Sequence, residues 1–201
     1  MFFKSKINVD NVLVCIGKES NEYEIKIPYI NDLVLYFVVE EKNVFRMLTE
    51  KDIKKINMSI MELKDKALEN VKNKIFKIYK KIPVLRNDND DIIIPYDADQ
   101  IIELGCYNFW TSLVLIPEFW NSNNDLCFEK KWKNYYVAMP CRNYLIIGNG
   151  ENEKSKLEIN KLLKEFELDK ISEIECGNFE MKREISNEIF IINDSVLKKD
   201  K

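Results

Sequence analysis

The residues that could do chemistry are an arginine in a predicted turn, a stretch of carboxylates and five cysteines, and no histidine accompanies them. Arg142 lies between two apolar runs, where it could hold a carboxylate or phosphate of a ligand or partner. Turn chemistry favours the alternative, an arginine that pins its hairpin to a buried acid or to backbone carbonyls. The absence of histidine excludes Ser-His-Asp and Cys-His catalysis and argues against an enzyme.

The most acidic part of the chain lies between residues 88 and 103. Its carboxylates are those of Asp88, Asp90, Asp91, Asp97, Asp99 and Glu103. An EF-hand calcium loop counted from Asp88 would need glycine and glutamate where Ile93 and Asp99 stand. A solvated loop is therefore the favoured interpretation, and the spacing does not support a paired-carboxylate hydrolase site. We predict no metal and no cofactor.

The cysteines and the apolar runs bear on the compartment. Cys15, Cys106, Cys127, Cys141 and Cys176 are widely spaced and form no C-x-x-C pair, so buried free thiols are favoured over disulfides or a zinc ribbon. The N-terminus has no apolar core of signal-peptide length, and the longest apolar runs, 33–39 and 110–117, are too short to span a bilayer. These features predict a cytoplasmic protein without membrane contact.

Residues 128–136 interleave lysines with aromatic side chains. Lys130, Lys131, Trp132 and Lys133 could form a stacking platform for single-stranded nucleic acid. An amphipathic edge strand protected by lysines gives the same pattern. The net charge of −3, from 34 acidic and 31 basic side chains, favours the edge strand and argues against a nucleic-acid partner.

Hydrophobic periodicity predicts an α+β fold with a mainly antiparallel sheet and helices packed against it, forming a single domain over residues 1–201. The predicted strands are 12–16, 23–27, 33–39, 44–48, 92–95, 101–104, 135–139, 144–147 and 189–192. Thr49 and Ser59 each precede a carboxylate by three residues and open helices to about residues 56 and 80. A helix is predicted over 107–116, and Pro117 can open a new helix after it, since proline is tolerated in a first turn. A further helix is predicted over 153–166, and a frayed basic tail over 195–201.

One polar residue stands inside the long helix that Ser59 opens. Asn70 is a poor helix former. It either fixes a neighbouring loop or binds something polar, and the general satisfaction of buried amides favours the structural role.

The segment from residue 27 to about 73 contains I-P-Y-I-N-D-L-V-L-Y-F-V-V, F-R-M-L-T-E-K-D-I and M-E-L-K-D-K-A-L-E-N-V. It resembles the YtpQ-like family of uncharacterised bacterial proteins, of which the chain would be a divergent member. Ala67 and Asn70 match the family's A-x-x-N signature, and residues 136–147 resemble its strand–turn–strand. The likeness extends to about residue 163 and departs at residues 107–110, Y-N-F-W, where the family usually has Y-D-A-S. It implies a fold and no activity, because the family has none established.

Tryptophans at positions 110, 120 and 132 are either core residues or interface anchors. The candidate interaction residues are Arg142, Trp120, Trp132, Tyr135, Tyr136 and Lys131. From them we expect a non-catalytic binding protein of immunity or regulatory type that engages a protein partner. One alternative is an enzyme that uses Arg142 with carboxylates from residues 97–103. The other is nucleic-acid binding through the Lys/Trp/Tyr segment.

Overall fold

The structure is a computed structural model that describes residues 7–41, 44–79, 94–96, 101–104, 110–120, 132–173, 185–193 and 196–200. In these residues, two sheets pack with helices. All strand pairs of both sheets are antiparallel. The predicted α+β class with mainly antiparallel strands is confirmed.

The first sheet is built around one long strand. Its members are β1 (Val12–Lys18), β2 (Lys26–Ile30), β3 (Leu33–Glu41) and β4 (Val44–Met47). β1 pairs along most of β3, whereas β2 pairs with the first half of β3 and β4 with the second half. The central strand predicted over 33–39 and its hairpin with β4 are confirmed. β2 begins later than predicted, because Tyr23 stacks on the ring of Tyr36 instead of joining the strand.

Two helices follow the first sheet, α1 (Glu50–Ile56) and α2 (Ile60–Tyr79). Both predicted capping boxes are present. At α1, Asp52 accepts a hydrogen bond of 3.0 Å from the backbone N–H of Thr49. At α2, the backbone N–H of Ser59 donates to Glu62 at 2.8 Å, and the N–H of Glu62 donates to the Ser59 hydroxyl at 3.2 Å. These bonds satisfy N–H groups that a helix start otherwise leaves open.

Among the described residues, side chains and not a further strand cover the free edge of β1. The side-chain amide of Asn70 in α2 donates to the carbonyls of Val9 and Val12 at 2.9 and 2.8 Å. The hydroxyl of Ser112 donates to the carbonyl of Val14 at 3.0 Å. Asn70 therefore has the structural role that the sequence favours, since it satisfies backbone acceptors at a sheet edge.

The second sheet has six strands among the described residues. They are β5 (Ile94–Tyr96), β6 (Ile101–Leu104), β7 (Asn134–Cys141), β8 (Tyr144–Asn149), β9 (Ile189–Asn193) and β10 (Val196–Lys199). Their order is β10-β9-β7-β8-β6-β5. The predicted β7–β8 hairpin is confirmed. The frayed tail is wrong for residues 196–199, because they form β10 and bury the side chain of Leu197.

Two helical predictions need correction. The segment Trp110–Leu115 is a 3₁₀ helix followed by α3 (Pro117–Trp120), not one α-helix over 107–116; residues 107–109 lie outside the described residues. α4 (Glu153–Glu173) is longer than predicted. The side chain of Leu157 in this helix is 68% exposed. Ile159, two positions later and so on the other side of the helix, is buried instead.

The core has a larger and a smaller part. The larger part joins side chains of both sheets with those of the Trp110–Leu115 segment and α3. The smaller part lies between the second sheet and α4, where Tyr136, Ala138 and Ile146 meet Ile159 and Leu163. β1 and β3 are thus buried on both faces, which explains their unbroken apolar runs.

Candidate functional site

Three of the chain's reactive side-chain types meet on one face of the first sheet. Cys15 in β1 and Tyr36 in β3 are directly paired across the strands, so their side chains lie side by side. The Tyr36 hydroxyl hydrogen-bonds the Cys15 thiol, and the Arg142 guanidinium hydrogen-bonds the Tyr36 hydroxyl. We call these residues, with the stacked Tyr23, the polar cluster. It links the β7–β8 turn of the second sheet to the first sheet.

The electrostatics of the polar cluster oppose nucleophilic chemistry. Burial raises the pKa of the Cys15 thiol from 9.0 to about 11, although Arg142 and the bond from Tyr36 partly oppose this shift. Burial also raises the pKa of Tyr36. At neutral pH both groups keep their protons, and a protonated thiol is a poor nucleophile. The cluster therefore supplies neither a thiolate nor a phenolate.

Arg142 lies in the interior, at the end of its hairpin. Arg142 is 9% exposed, and its guanidinium carbon lies 5.9 Å from the centre of the Phe45 ring. Its backbone carbonyl accepts a hydrogen bond of 3.0 Å from the Thr111 hydroxyl. Of the two roles considered for Arg142, these contacts fit the arginine that pins its hairpin. It does so through Tyr36 and Phe45, side chains that the sequence did not indicate.

The described carboxylate of the acidic stretch lies elsewhere. Glu103 in β6 accepts a hydrogen bond from the Tyr144 hydroxyl, and burial together with Glu165 and Glu158 of α4 raises its pKa. It thus faces α4, whereas Arg142 faces the first sheet. The other five carboxylates named above for this stretch lie outside the described residues. The one that is described gives no support to an enzyme that combines Arg142 with these carboxylates.

The aromatic candidates form part of the core. Trp120, Tyr135 and Tyr136 are at most 5% exposed, and Trp132 is half-buried. The Trp120 ring meets Tyr135 edge-on at 5.2 Å, and its indole N–H donates to the Leu113 carbonyl at 2.9 Å. Lys131 lies outside the described residues.

The strand that carries these tyrosines is not an edge strand. β7 pairs with both β8 and β9, so the edge-strand interpretation of residues 128–136 is wrong for its described part. The rings of Tyr135 and Tyr136 are not accessible for base stacking either. The pattern of alternating polar and aromatic residues here marks a central strand whose two faces belong to the two parts of the core.

An apolar groove opens on the opposite face of the first sheet. Val14 and Leu35, which alternate with Cys15 and Tyr36 along their strands, form its floor. Its walls come from β2, the first half of α2, the stretch 114–117 and β10, and the volume is about 460 Å³. All the described lining residues are apolar except Tyr29 and Lys64.

The sequence contains one weak signal of this groove. β2 carries I-P-Y-I at residues 27–30, which is more apolar surface than an edge strand with a wet face needs. The walls come from four distant parts of the chain, and no local pattern predicts that they meet.

Metal and membrane sites find no support in the described part of the chain. It contains no group of three or more Cys, Asp or Glu side chains placed to hold a metal ion. None of the described helices is both long enough and apolar enough to cross a membrane.

No family model matches the chain, and neither the curated proteins nor the solved structures contain a match. The resemblance to the YtpQ-like family stays a prediction.

Proposed function

We propose that this chain is a non-catalytic binding protein that takes a small, largely apolar ligand into the groove between β2, α2, the 114–117 stretch and β10. The observation that carries the proposal is the groove itself. Its volume of about 460 Å³ lies within the range of small-molecule sites, roughly 300–1,000 Å³. Such sites are lined mainly by apolar side chains with a few polar groups that orient the ligand.

The polar groups elsewhere in the described chain support binding over catalysis. The most reactive side chain, the Cys15 thiol, is fully buried and has a pKa of about 11. Arg142 is engaged by Tyr36 and Phe45. An active site needs a reactive group that a substrate can reach, and the thiol and the guanidinium of the polar cluster lie away from the open groove.

The groove is also a better candidate binding site than the surface that the sequence predicts for a protein partner. That surface was to be formed around residues 120–136, and its described aromatic side chains at 120, 135 and 136 are buried. A partner could not reach them without opening the core. The apolar surface of the groove lies within reach of a ligand as the protein stands.

A cytoplasmic location is part of the proposal. Cys15 is a free, buried thiol, and Cys141 is buried as well. Free thiols are typical of proteins in a reducing compartment.

The test is the binding of N-phenylnaphthylamine, a neutral probe whose fluorescence rises in apolar surroundings. We expect saturable binding to the wild type. Val196→Trp should weaken it about tenfold or more, because the indole takes volume that the probe needs. Val196 is 54% exposed at the groove, so the larger side chain is compatible with folding.

The matched control is Val44→Trp. Val44 is also an exposed valine on a short edge strand, 62% exposed in β4, but it does not line the groove. This variant should bind the probe as the wild type does. Leu115→Trp, from the opposite wall, is a second blocking variant. Equal affinity in all four proteins, or no saturable binding to the wild type, would contradict the proposed function.

A further inference from the structure

The polar groups of the groove are both hydrogen-bond donors. Lys64 carries an ammonium, and Tyr29 carries a hydroxyl. The described lining residues include no carboxylate. A ligand with an anionic group would therefore meet a complementary charge, whereas a cationic ligand would meet only repulsion from Lys64.

Lys64 is available for such a role. Its side chain is 29% exposed, so its stem packs along the groove while its charged end stays near the opening. The nearest described acid is Asp65, whose carboxylate oxygen lies 3.9 Å from the ammonium nitrogen and whose side chain is 75% exposed. Exposed ion pairs at this distance contribute little free energy to stability. A ligand anion inside the groove would be better shielded from water than Asp65 is.

Tyr29 supplies a second donor. Burial raises the pKa of its hydroxyl to about 12, so it stays protonated at neutral pH. Within the described residues this hydroxyl makes no hydrogen bond to the protein. A half-buried hydroxyl that has no partner among the described residues is suited to bond a polar ligand group.

We infer that the groove binds an amphipathic anion, whose apolar tail lies along the groove and whose carboxylate-type head group pairs with Lys64. This inference rests on the proposed function and adds the chemical class of the ligand. One cation and one neutral donor match a head group with a single negative charge. The apolar floor and walls match a tail without polar atoms, because a buried polar tail atom would find no partner there.

The experiment compares decanoate, decanol and decylammonium, which share one tail and differ in the charge of the head group. Their affinities are measured by displacement of N-phenylnaphthylamine, below the concentrations at which they form micelles. We expect decanoate to bind about tenfold more tightly than decylammonium, with decanol between them. The decanoate affinity should fall as salt rises, and the decanol affinity should not.

Lys64→Gln tests the assignment directly. It should weaken decanoate about threefold to tenfold and leave decanol unchanged, since a partly exposed charge-assisted hydrogen bond is lost. The matched control is Lys77→Gln, which makes the same charge change at an exposed lysine of the same helix, outside the groove. Tyr29→Phe should weaken decanoate by a smaller factor.

The outcomes separate the two proposals. If decanol and decanoate bind equally in wild type and Lys64→Gln, the groove binds apolar ligands and the anionic class is wrong. Tighter binding of decylammonium would also overturn it. If the probe binds but none of the three ligands displaces it, the amphipathic-anion class is wrong. If the probe does not bind the wild type saturably, or Val196→Trp leaves every affinity unchanged, the proposed function itself fails.

Discussion

The two faces of the first sheet differ in what they offer a ligand. One face carries the polar cluster of Cys15, Tyr36, Arg142 and Tyr23, all of them at most 9% exposed. The other face forms the floor of the groove and carries apolar side chains. Neighbouring residues of the same two strands supply both faces, because side chains alternate along a strand. The thiol and the guanidinium are closed in, whereas the groove offers one lysine and one tyrosine in an otherwise apolar lining.

Reactive residues can be present in a fold without being accessible to a substrate. A thiol, a phenol and a guanidinium in contact would indicate an active site if a substrate could reach them. Here they join two sheets, and burial raises the pKa of the thiol and of the phenol instead of lowering it. The open face has the composition of a binding site. The closed face contributes to stability, and the open face is the proposed ligand site.

The largest effect is expected from Arg142, which joins the two sheets at the polar cluster. Arg142→Ala should lower the free energy of unfolding by ~3 kcal/mol, because it empties a buried volume and removes the donor to Tyr36. Arg142→Met keeps much of the volume and should lose only ~1 kcal/mol. Urea denaturation measures both values. A stable Arg142→Ala protein that no longer bound the probe would contradict the division between the two faces, since the arginine would then be a ligand contact.

The next effect is a dependence of stability on alkaline pH, caused by Cys15. The thiol has a pKa of about 11 in the folded protein against 9.0 as the ordinary value, so the folded state holds the proton more tightly. The stabilisation is complete below pH 9 and is lost as the pH rises towards 11. A shift of this size corresponds to roughly 2–3 kcal/mol.

Cys15→Ala should flatten this decline. Other alkaline titrations, including that of Tyr29 with its pKa of about 12, remain in both proteins. The difference between the two stability curves over pH 9–11 therefore isolates the thiol. Curves of equal slope would mean that Cys15 is accessible to water, and that the polar cluster is less closed than its burial indicates.

The elements of the fold were predictable where their signals are local. The caps at Thr49 and Ser59 lie within four residues of sequence, and both predicted helix starts are confirmed. The apolar run of β3 indicates a strand buried on both faces. The 3₁₀ segment Trp110–Leu115 was misassigned because its apolar run has neither period nor cap to separate a 3₁₀ from an α-helix.

The candidate sites were less predictable, because they depend on contacts between distant parts of the chain. Arg142 was singled out from the sequence, yet Tyr36 lies more than a hundred positions earlier, and no pattern links the two. The groove combines residues from β2 to β10. Periodicity shows which side chains avoid water, but not which elements cover them. That is why buried tyrosines of β7 were mistaken for a surface.

A further effect on stability is expected at Gly17, which lies on the face of the polar cluster. A Cβ added there would lie 2.7 Å from the Tyr23 hydroxyl oxygen and 2.9 Å from Cε1 of Tyr36. Both distances are too short, and the two rings are stacked with centroids 4.2 Å apart. Gly17→Ala should therefore cost ~2 kcal/mol of unfolding free energy through overpacking.

Tyr23→Phe is the partner change that sharpens this prediction. It removes the nearer of the two clashing atoms. Gly17→Ala should therefore cost less unfolding free energy when it is introduced into Tyr23→Phe than when it is introduced into the wild type. Probe binding should be unchanged in all three proteins, because Gly17 lies on the face opposite the groove. If Gly17→Ala is as stable as the wild type, the face of the polar cluster can accommodate an added methyl group without strain. If it instead weakens probe binding, the two faces are coupled and the division between stability and binding does not hold.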